Sequence, residues 1–232
     1  MDEVTTRDSE AGAVPAIRAI TFDFWGTLYK NKSVPRENKR TSLRIERLRG
    51  YLRNTSYDLS REAIEESFHN SYKMFADLLA QGEVMHAEGM VMAMGDELGL
   101  EFDTDQIGEM MTILEQVAVD IPPTTTKNAV DAIMGLSRRY KLAVISDTTL
   151  TPGRVLRQVL ANDSIADCFE SFSFSDEALY RKPHPEQFIQ VLDDLGVNPE
   201  EAVHVGDLVE TDIRGAKAVG MKTILFAENG AA

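Results

Sequence analysis

Cysteine is nearly missing: Cys168 is the one cysteine among 232 residues. That excludes an internal disulfide framework and fits a reduced chain, with Cys168 read as core filler. Long apolar runs are missing too, since none approaches the roughly 20 residues that a membrane-spanning helix needs, so no membrane partner is expected. Positive charge is in deficit. Lys and Arg number 24 against 38 Asp and Glu, for a formal charge of −14. A chain of that sign lacks the basic face that phosphate backbones require, so nucleic acid is not expected as a partner. The start, Met1 to Ala16, is acidic and polar, without the apolar stretch of a secretory signal. It reads as a disordered lead-in over 1–16, and the chain as cytoplasmic. Internal repeats and low-complexity runs are also lacking.

What is present can build a full core. A hydrophobic content of 43% is ordinary for a globular chain, and the length suits one domain carrying an inserted module as well as two independent domains. Apolar residues at helical spacing, such as Leu43, Leu48 and Leu52 or Phe68, Tyr72, Phe75 and Leu79, predict helices over 37–54, 60–82, 86–99 and 104–119. Asp103-Thr104-Asp105 offers capping oxygens, and Ile121-Pro122-Pro123 ends the run. Methionines 85, 90, 92, 94, 110 and 111 read as core of these helices, or as an adaptable underside. Beyond 122 the pattern alternates. Helices are expected at 127–139, 152–162, 185–196 and 211–219, and strands at 141–146, 170–174, 202–206 and 222–226. Strands spaced by helices imply a parallel, doubly wound α/β sheet.

One segment runs against the average charge. Between Tyr29 and Arg53 nine cations, Arg40 and Arg44 among them, meet only Glu37 and Glu46. They form a solvated helix face, or they overhang a site and attract an anionic substrate.

Four places carry chemistry. Ala19 to Phe22 reads as a buried strand that delivers Asp23 to a Gly26-Thr27 turn. Lys141 to Ser146 is a second apolar run, ending in a hydroxyl with Asp147 behind it. Lys182 lies in Arg181-Lys182-Pro183-His184-Pro185, where two prolines pin the loop. Ala202 to Gly206 ends at Asp207, with Asp212 five positions on. All four are read as strand ends, and ligands of open parallel sheets bind outside the carboxyl ends of strands, so they can converge on one crevice.

In order and spacing, Asp23-Phe24-Trp25-Gly26-Thr27, Ser146, Lys182-Pro183 and Gly206-Asp207 with Asp212 resemble the four signature motifs of the haloacid dehalogenase-like (HAD) hydrolases. The resemblance covers about residues 17–33 and 125–228. It implies a HAD-like Rossmannoid core over 17–33 and 122–232, and an inserted all-helical cap over 34–121. It also implies a mechanism. Asp23 would be the nucleophile, forming an aspartyl-phosphate. Two anions, Asp23 and Asp207, would repel each other and the substrate unless a hard cation such as Mg²⁺ neutralised them. The metal would take Asp23, Asp207 and the backbone carbonyl of Trp25. Lys182 and Ser146 would hold the transferred group, Thr27 the nucleophile loop, and Gly206 and Asp212 would support. Asp147 could orient Ser146, bind substrate or lie near the metal. Trp25, Arg40, Arg44 and His184 are candidate substrate contacts. His204, His69 and His86 are assigned to structure. The partner would be a small anionic molecule, and the protein a monomer or homodimer.

Trp25 departs from the family's phosphatases, which usually carry a second Asp there as general acid and base. Three functions stay open. One is a Mg²⁺-dependent phosphatase of a small phosphorylated metabolite, slow or suited to good leaving groups. Another is a metal-independent 2-haloacid dehalogenase, a branch with an aromatic residue at this place. The third is a catalytically weak relative that binds a phosphorylated ligand. Gly206-Asp207 and Asp212 favour the phosphatase, as does Phe188 where dehalogenases tend to have Tyr. A phosphonatase route would need a Schiff-base lysine in the cap, and nothing marks one out.

Overall fold

Five parallel strands run in the order β3-β2-β1-β4-β5, in a computed structural model that describes residues 15–30, 34–55, 57–84 and 86–227. They are β1 (Ala19–Phe22), β2 (Lys141–Ser146), β3 (Ser171–Phe174), β4 (Ala202–Gly206) and β5 (Lys222–Leu225). The strand order reverses between β1 and β4, where Phe22 pairs with Val205 and the Asp23 amide donates to the Val205 carbonyl at 2.9 Å. A crevice at such a reversal is where doubly wound sheets bind ligands. All of the expected lead-in but Pro15 and Ala16 lies outside the described residues.

Period-two alternation splits the side chains of the sheet between two apolar layers. Ile20, Phe22, Leu142 and Val144 face α5 (Ala129–Leu136) and α6 (Gly153–Asn162) through Ile133, Leu156 and Leu160. Ala19, Ala143 and Ile145 face α8 (Glu186–Leu195) and α9 (Arg214–Ala218) through Phe188, Val191 and Ala216. Burial on both faces explains why the strands read as continuous apolar runs. The helix expected at 211–219 begins instead as a π turn, Val209–Ile213, and becomes α-helical only in α9. A short helix, α7 (Ser175–Ala178), follows β3 directly.

Between β1 and α5 the chain forms four helices: α1 (Val34–Asn54), α2 (Arg61–Ala80), α3 (Ala87–Leu98) and α4 (Thr104–Asp120). Ser60 caps α2 by accepting from the Ala63 amide, and Asp103 with Gln106 closes a reciprocal capping box on α4. Their shared core holds Leu48, Leu52, Phe68, Phe75, Met90, Met94 and Met110. Met92, expected inside, is 54% exposed because it lies on the outer face of α3. Met85 lies outside the described residues. No described helix is long and apolar enough to cross a membrane.

Contacts from the loops and helices of the sheet fasten the four helices to it. Leu150, from the loop after β2, is buried in the helical core. Arg154 of α6 pairs with the buried Glu115 of α4. Arg181 donates to the Leu79 carbonyl at the end of α2 at 2.8 Å. Leu150 is 2% exposed, and removing a buried leucine side chain costs about 2–5 kcal/mol. Leu150→Ala is expected to lose stability in that range in denaturant unfolding, and a loss near zero would show that the loop is not anchored by its side chain.

Candidate active site

A turn brings Asp23 out of β1. The Leu28 and Tyr29 amides both donate to the Phe24 carbonyl, at 3.1 and 2.9 Å, and the Gly26 amide donates to the Tyr29 carbonyl at 2.6 Å. Gly26 has φ +86°, a conformation that glycine adopts without strain. Thr126 clamps the turn from outside by donating to the Thr27 carbonyl at 2.7 Å. The Thr27 hydroxyl, expected to hold this loop, is instead buried without a hydrogen-bond partner among the described residues. The loop is held by its backbone and by Thr126.

Lys182 is the centre of the site. Its ammonium donates to Asp23 Oδ1 at 2.5 Å and to Asp212 Oδ1 at 2.6 Å, and all three side chains are nine-tenths or more buried. Asp207 completes the group: carboxylate oxygens of Asp23, Asp207 and Asp212 lie within 4.8 Å of one another. Lys182 does not stand at a strand end, as expected, but in the loop between α7 and α8. Asp147 sets its position, because Asp147 Oδ1 accepts from the Lys182 amide at 3.0 Å. Ser146 is fully buried at the end of β2, with its hydroxyl donating to the Asp147 carbonyl at 3.2 Å.

Asp212 is fixed from three sides. Besides Lys182, the Leu208 amide donates to its Oδ2 at 2.9 Å, and His204 Nε2 lies 3.5 Å from Oδ1. A β-carbon at Gly206 would overlap the Asp212 carboxyl group, so glycine is required for this close approach. His204, assigned to structure from the sequence, belongs to this network. It is fully buried on β4, and its Nδ1 pairs with the Thr21 hydroxyl of β1 at 2.8 Å. The signal that could have shown this is its place two residues before Gly206 on β4, where it pairs in register with Thr21 of β1.

Three carboxylates surround one ammonium, which leaves two negative charges uncompensated. Burial, opposed by Lys182 but reinforced by Asp212 and Asp207, pushes the Asp23 carboxyl up to about 7. Asp207 is raised for the same reasons, burial first and then Asp212. Burial disfavours the charged form of Asp212 as well, but His204 and Lys182 outweigh it and hold that carboxyl below its ordinary range. Burial also pulls on Lys182, and the Asp23 and Asp212 carboxylates reverse it, raising the ammonium above its usual value. Hard oxygens with two charges in excess suit a divalent oxygen-seeking cation, and Asp23, Asp207 and Asp212 present such oxygens within 4.8 Å of one another.

The remaining candidates divide. Trp25, half-buried and edge-on to Phe24 at 4.8 Å between ring centres, walls a cavity of about 180 Å³ with Glu37, Arg40, Arg44, Tyr72 and the Thr149–Thr151 turn. Arg40 spends Nε and Nη2 on the Ile121 carbonyl, at 2.9 and 2.8 Å. Arg44 donates from Nε to the Leu114 carbonyl at 2.8 Å. The two arginines therefore tie α1 to α4 as well as lining the cavity, and Glu37, noted in the sequence only as one of two acids in the basic segment, stands beside both. The spacing that could have singled it out is three residues to Arg40 and seven to Arg44, one helix face. His184 is not brought to the cluster. It is exposed, stacked on Tyr180 at 4.2 Å, and accepts from the Glu186 amide.

Fold and cluster together define a doubly wound α/β protein with an acidic crevice at its switch point. The chain belongs to the haloacid dehalogenase-like hydrolases, whose family model matches residues 17–220. Among its relatives, a glyceraldehyde 3-phosphate phosphatase of Methanopyrus kandleri is 30% identical over 220 residues, which cover 90% of this chain and 83% of that protein. One of the same name from Pyrococcus furiosus is 42% identical over 79 residues, so the chain spans only 33% of that relative's length, and 33% of the chain is covered. A 2-haloacid dehalogenase structure from Pseudomonas syringae superposes with a TM-score of 0.63 at 20% identity, over 93% of this chain and 89% of that one. At that identity the likeness is one of fold.

A carboxyl raised on folding is ionised in the unfolded chain before it is in the folded one. For Asp23, stability therefore falls as pH rises from its ordinary value of 3.8 to about 7. Asp212, which is lowered, acts in the opposite sense and loses its contribution as pH falls through its depressed folded value. Asp23→Asn is expected to raise the melting temperature of the metal-free protein at pH 8 and to raise it by less than about half as much at pH 5. Thermal unfolding in chelator checks this, and an equal gain at both pH values would remove buried charge as its cause.

Proposed function

We propose that the protein is a Mg²⁺-dependent phosphatase of a small phosphorylated metabolite, acting through an aspartyl-phosphate on Asp23. The observation that carries this reading is the convergence of Asp23, Asp207 and Asp212, whose carboxylate oxygens lie within 4.8 Å of one another, with Lys182 bonded to Asp23 and Asp212. The relatives named glyceraldehyde 3-phosphate phosphatase support it. So does a 34% identity over 94 residues to a phosphoserine phosphatase of Thermus thermophilus, of which the chain spans 37%. In this reading residues 34–121 are a cap over the core of 17–33 and 122–232.

Asp23, Asp207 and the Trp25 carbonyl would hold Mg²⁺, which when bound supplies positive charge to the phosphoryl oxygens and to the carboxylates. The residues do the rest. Asp23 attacks phosphorus in line, the bond from phosphorus to the ester oxygen breaks, and the leaving group takes a proton from solvent. Water then attacks phosphorus, releases phosphate and regenerates the carboxylate. In this reading Lys182 and the Ser146 hydroxyl would stabilise charge on the transferred group. Asp212 positions Lys182 and Asp147 positions its loop. Trp25 has no proton to give, and its indole would keep water from the leaving-group side.

Phosphate release from alkyl, aryl and acyl phosphates, with and without Mg²⁺, tests the reading. Release is expected to need Mg²⁺, to vanish in Asp23→Asn and to favour acyl and aryl phosphates. Full activity in chelator, or in Asp23→Asn, would overturn it. General acid–base help is worth about 10²–10⁴ in rate. Trp25→Asp is therefore expected to speed hydrolysis of alkyl phosphates by up to about a hundredfold while changing acyl phosphates little. An equal change in both would separate the indole from leaving-group chemistry. The aromatic side chain at Trp25 is also the one feature that favours dehalogenation. Halide release from 2-haloacids in chelator, with no phosphate release, would establish that reading instead.

A further inference from the structure

Arg181 stands between two parts of the molecule that the sequence keeps apart. Its Nη1 donates to the Leu79 carbonyl at 2.8 Å and, more weakly, to the Glu83 carbonyl at 3.4 Å, both at the end of α2. Its Nη2 stands 3.6 Å from Oδ2 of Asp147, the residue that follows β2. A helix carries partial negative charge on its last carbonyls and favours a cation there, and α2 has no basic residue in its own last turn. Arg181 supplies that cation from the loop between α7 and α8. A planar guanidinium reaches both partners at once because its donors fork.

Asp147 is the point where this contact meets the site. While Oδ2 faces Arg181, Oδ1 accepts from the Lys182 amide at 3.0 Å, so one carboxylate orients two consecutive residues. The Arg181 carbonyl accepts from the His184 amide at 2.7 Å, which turns the chain just past Lys182. From there the Lys182 ammonium reaches Asp23 and Asp212 at 2.5 and 2.6 Å. Hydrogen bonds weaken steeply away from their preferred geometry, so the backbone that carries Lys182 has little room to shift. Arg181 Nε is buried and has no hydrogen-bond partner among the described residues. An unpaired buried donor is unfavourable, so the guanidinium keeps this place through its contacts to α2 and Asp147.

We propose that Arg181 is a positioning residue for the site: by holding the end of α2 and Asp147 together it seats Lys182 between Asp23 and Asp212, so that the docking of the helices and the placement of the ammonium are set together. Leu150 and Arg154 also tie the helices to the sheet, but of these three residues Arg181 is the one that directly precedes Lys182 in the chain. The effect on turnover rests on the phosphatase reading, whereas the effect on the seating of Lys182 does not.

Two measurements on the full chain test this. Phosphate release from acetyl phosphate and from 4-nitrophenyl phosphate, with Mg²⁺, gives kcat and KM separately. Arg181→Gln is expected to lower kcat by about ten- to a hundredfold, the scale of a small misplacement of a catalytic group. The loss is expected to be equal for both substrates, because the transferred group is the same, with KM within about twofold of wild type. Asp147→Asn added to Arg181→Gln is expected to cost little more, since the two act as one unit. A tie that only stabilises the fold would leave kcat of the folded protein unchanged. Acylation by acetic anhydride, read by peptide mass in the metal-free protein, reports on Lys182 without turnover. Arg181→Gln is expected to raise labelling of Lys182 by about tenfold. Labelling of Lys141, whose ammonium donates to the Leu195 carbonyl at the opposite end of β2 from Ser146, is expected to stay the same. Unchanged kcat, unchanged labelling of Lys182 or an equal rise at both lysines would overturn the inference and leave the phosphatase standing. No phosphate release by the wild type would overturn the phosphatase reading, and the labelling of Lys182 would then decide the inference alone. Should Arg181→Gln fail to fold, Arg181→Lys decides, since an ammonium keeps the charge but cannot fork to both partners. Wild-type kcat and labelling in that variant would overturn the inference.

Discussion

A buried ammonium between two carboxylates is the constraint on which the site depends. Lys182 lies 2.5 Å from Asp23 and 2.6 Å from Asp212 with almost no access to water, and groups so placed must satisfy one another or remain unburied. Such a bridge is weak evidence for stability, since desolvation can cancel the attraction. Its value is positional. Once Lys182 is seated, the end of β1, the loop before α8 and the turn after β4 cannot shift independently. Behind it, Thr21, His204 and the Leu208 amide hold Asp212 from β1, β4 and the turn. Gly206 leaves the space that Asp212 fills.

The same constraint creates an electrostatic debt that the protein by itself does not settle. One ammonium faces three carboxylates, and Asp23 and Asp207 absorb the excess as raised pKa values. A crevice in that condition favours a divalent cation and a substrate whose reacting group is drawn to it. Beside it, the cavity at Trp25 is lined by Glu37, Arg40 and Arg44 from α1 and by Tyr72 from α2. Leu150, Arg154 and Arg181 fasten the helical layer to the sheet at the edge of this arrangement. The pocket's shape therefore depends on the seating of α1 and α2 over the loops.

Much of this was legible in the chain. β2 and β4 occupy the residues that their apolar runs indicated, because strands buried on both faces leave little room for ambiguity. The four helices before residue 122 follow from the spacing of Leu48, Leu52, Phe68 and Phe75. Asp23, Ser146, Asp207 and Asp212 stand beside their turns as their motifs suggested. Other features were not legible. Lys182 was read as a strand end, but α7 lies between it and β3, and four helical residues are too short to leave a periodic signal. Thr27 was read as the brace of its loop, whereas Thr126, distant in sequence, provides it. His184 has a motif neighbour but points its ring at Tyr180.

By itself the sequence determined the order of elements, the chemical types available at the site and the family. These depend on local periodicity and on residue identities at fixed spacing, which the chain carries whether folded or not. The tertiary structure alone decided which groups share charge. Lys182 meets Asp212 across 30 positions and His204 meets Thr21 across 183, and no local rule connects residues so far apart. It also decided that Arg40 and Arg44 are buried in a cavity wall instead of lying in solvent. The sign and strength of an electrostatic effect depend on burial and distance, and both exist only once the chain has closed on itself.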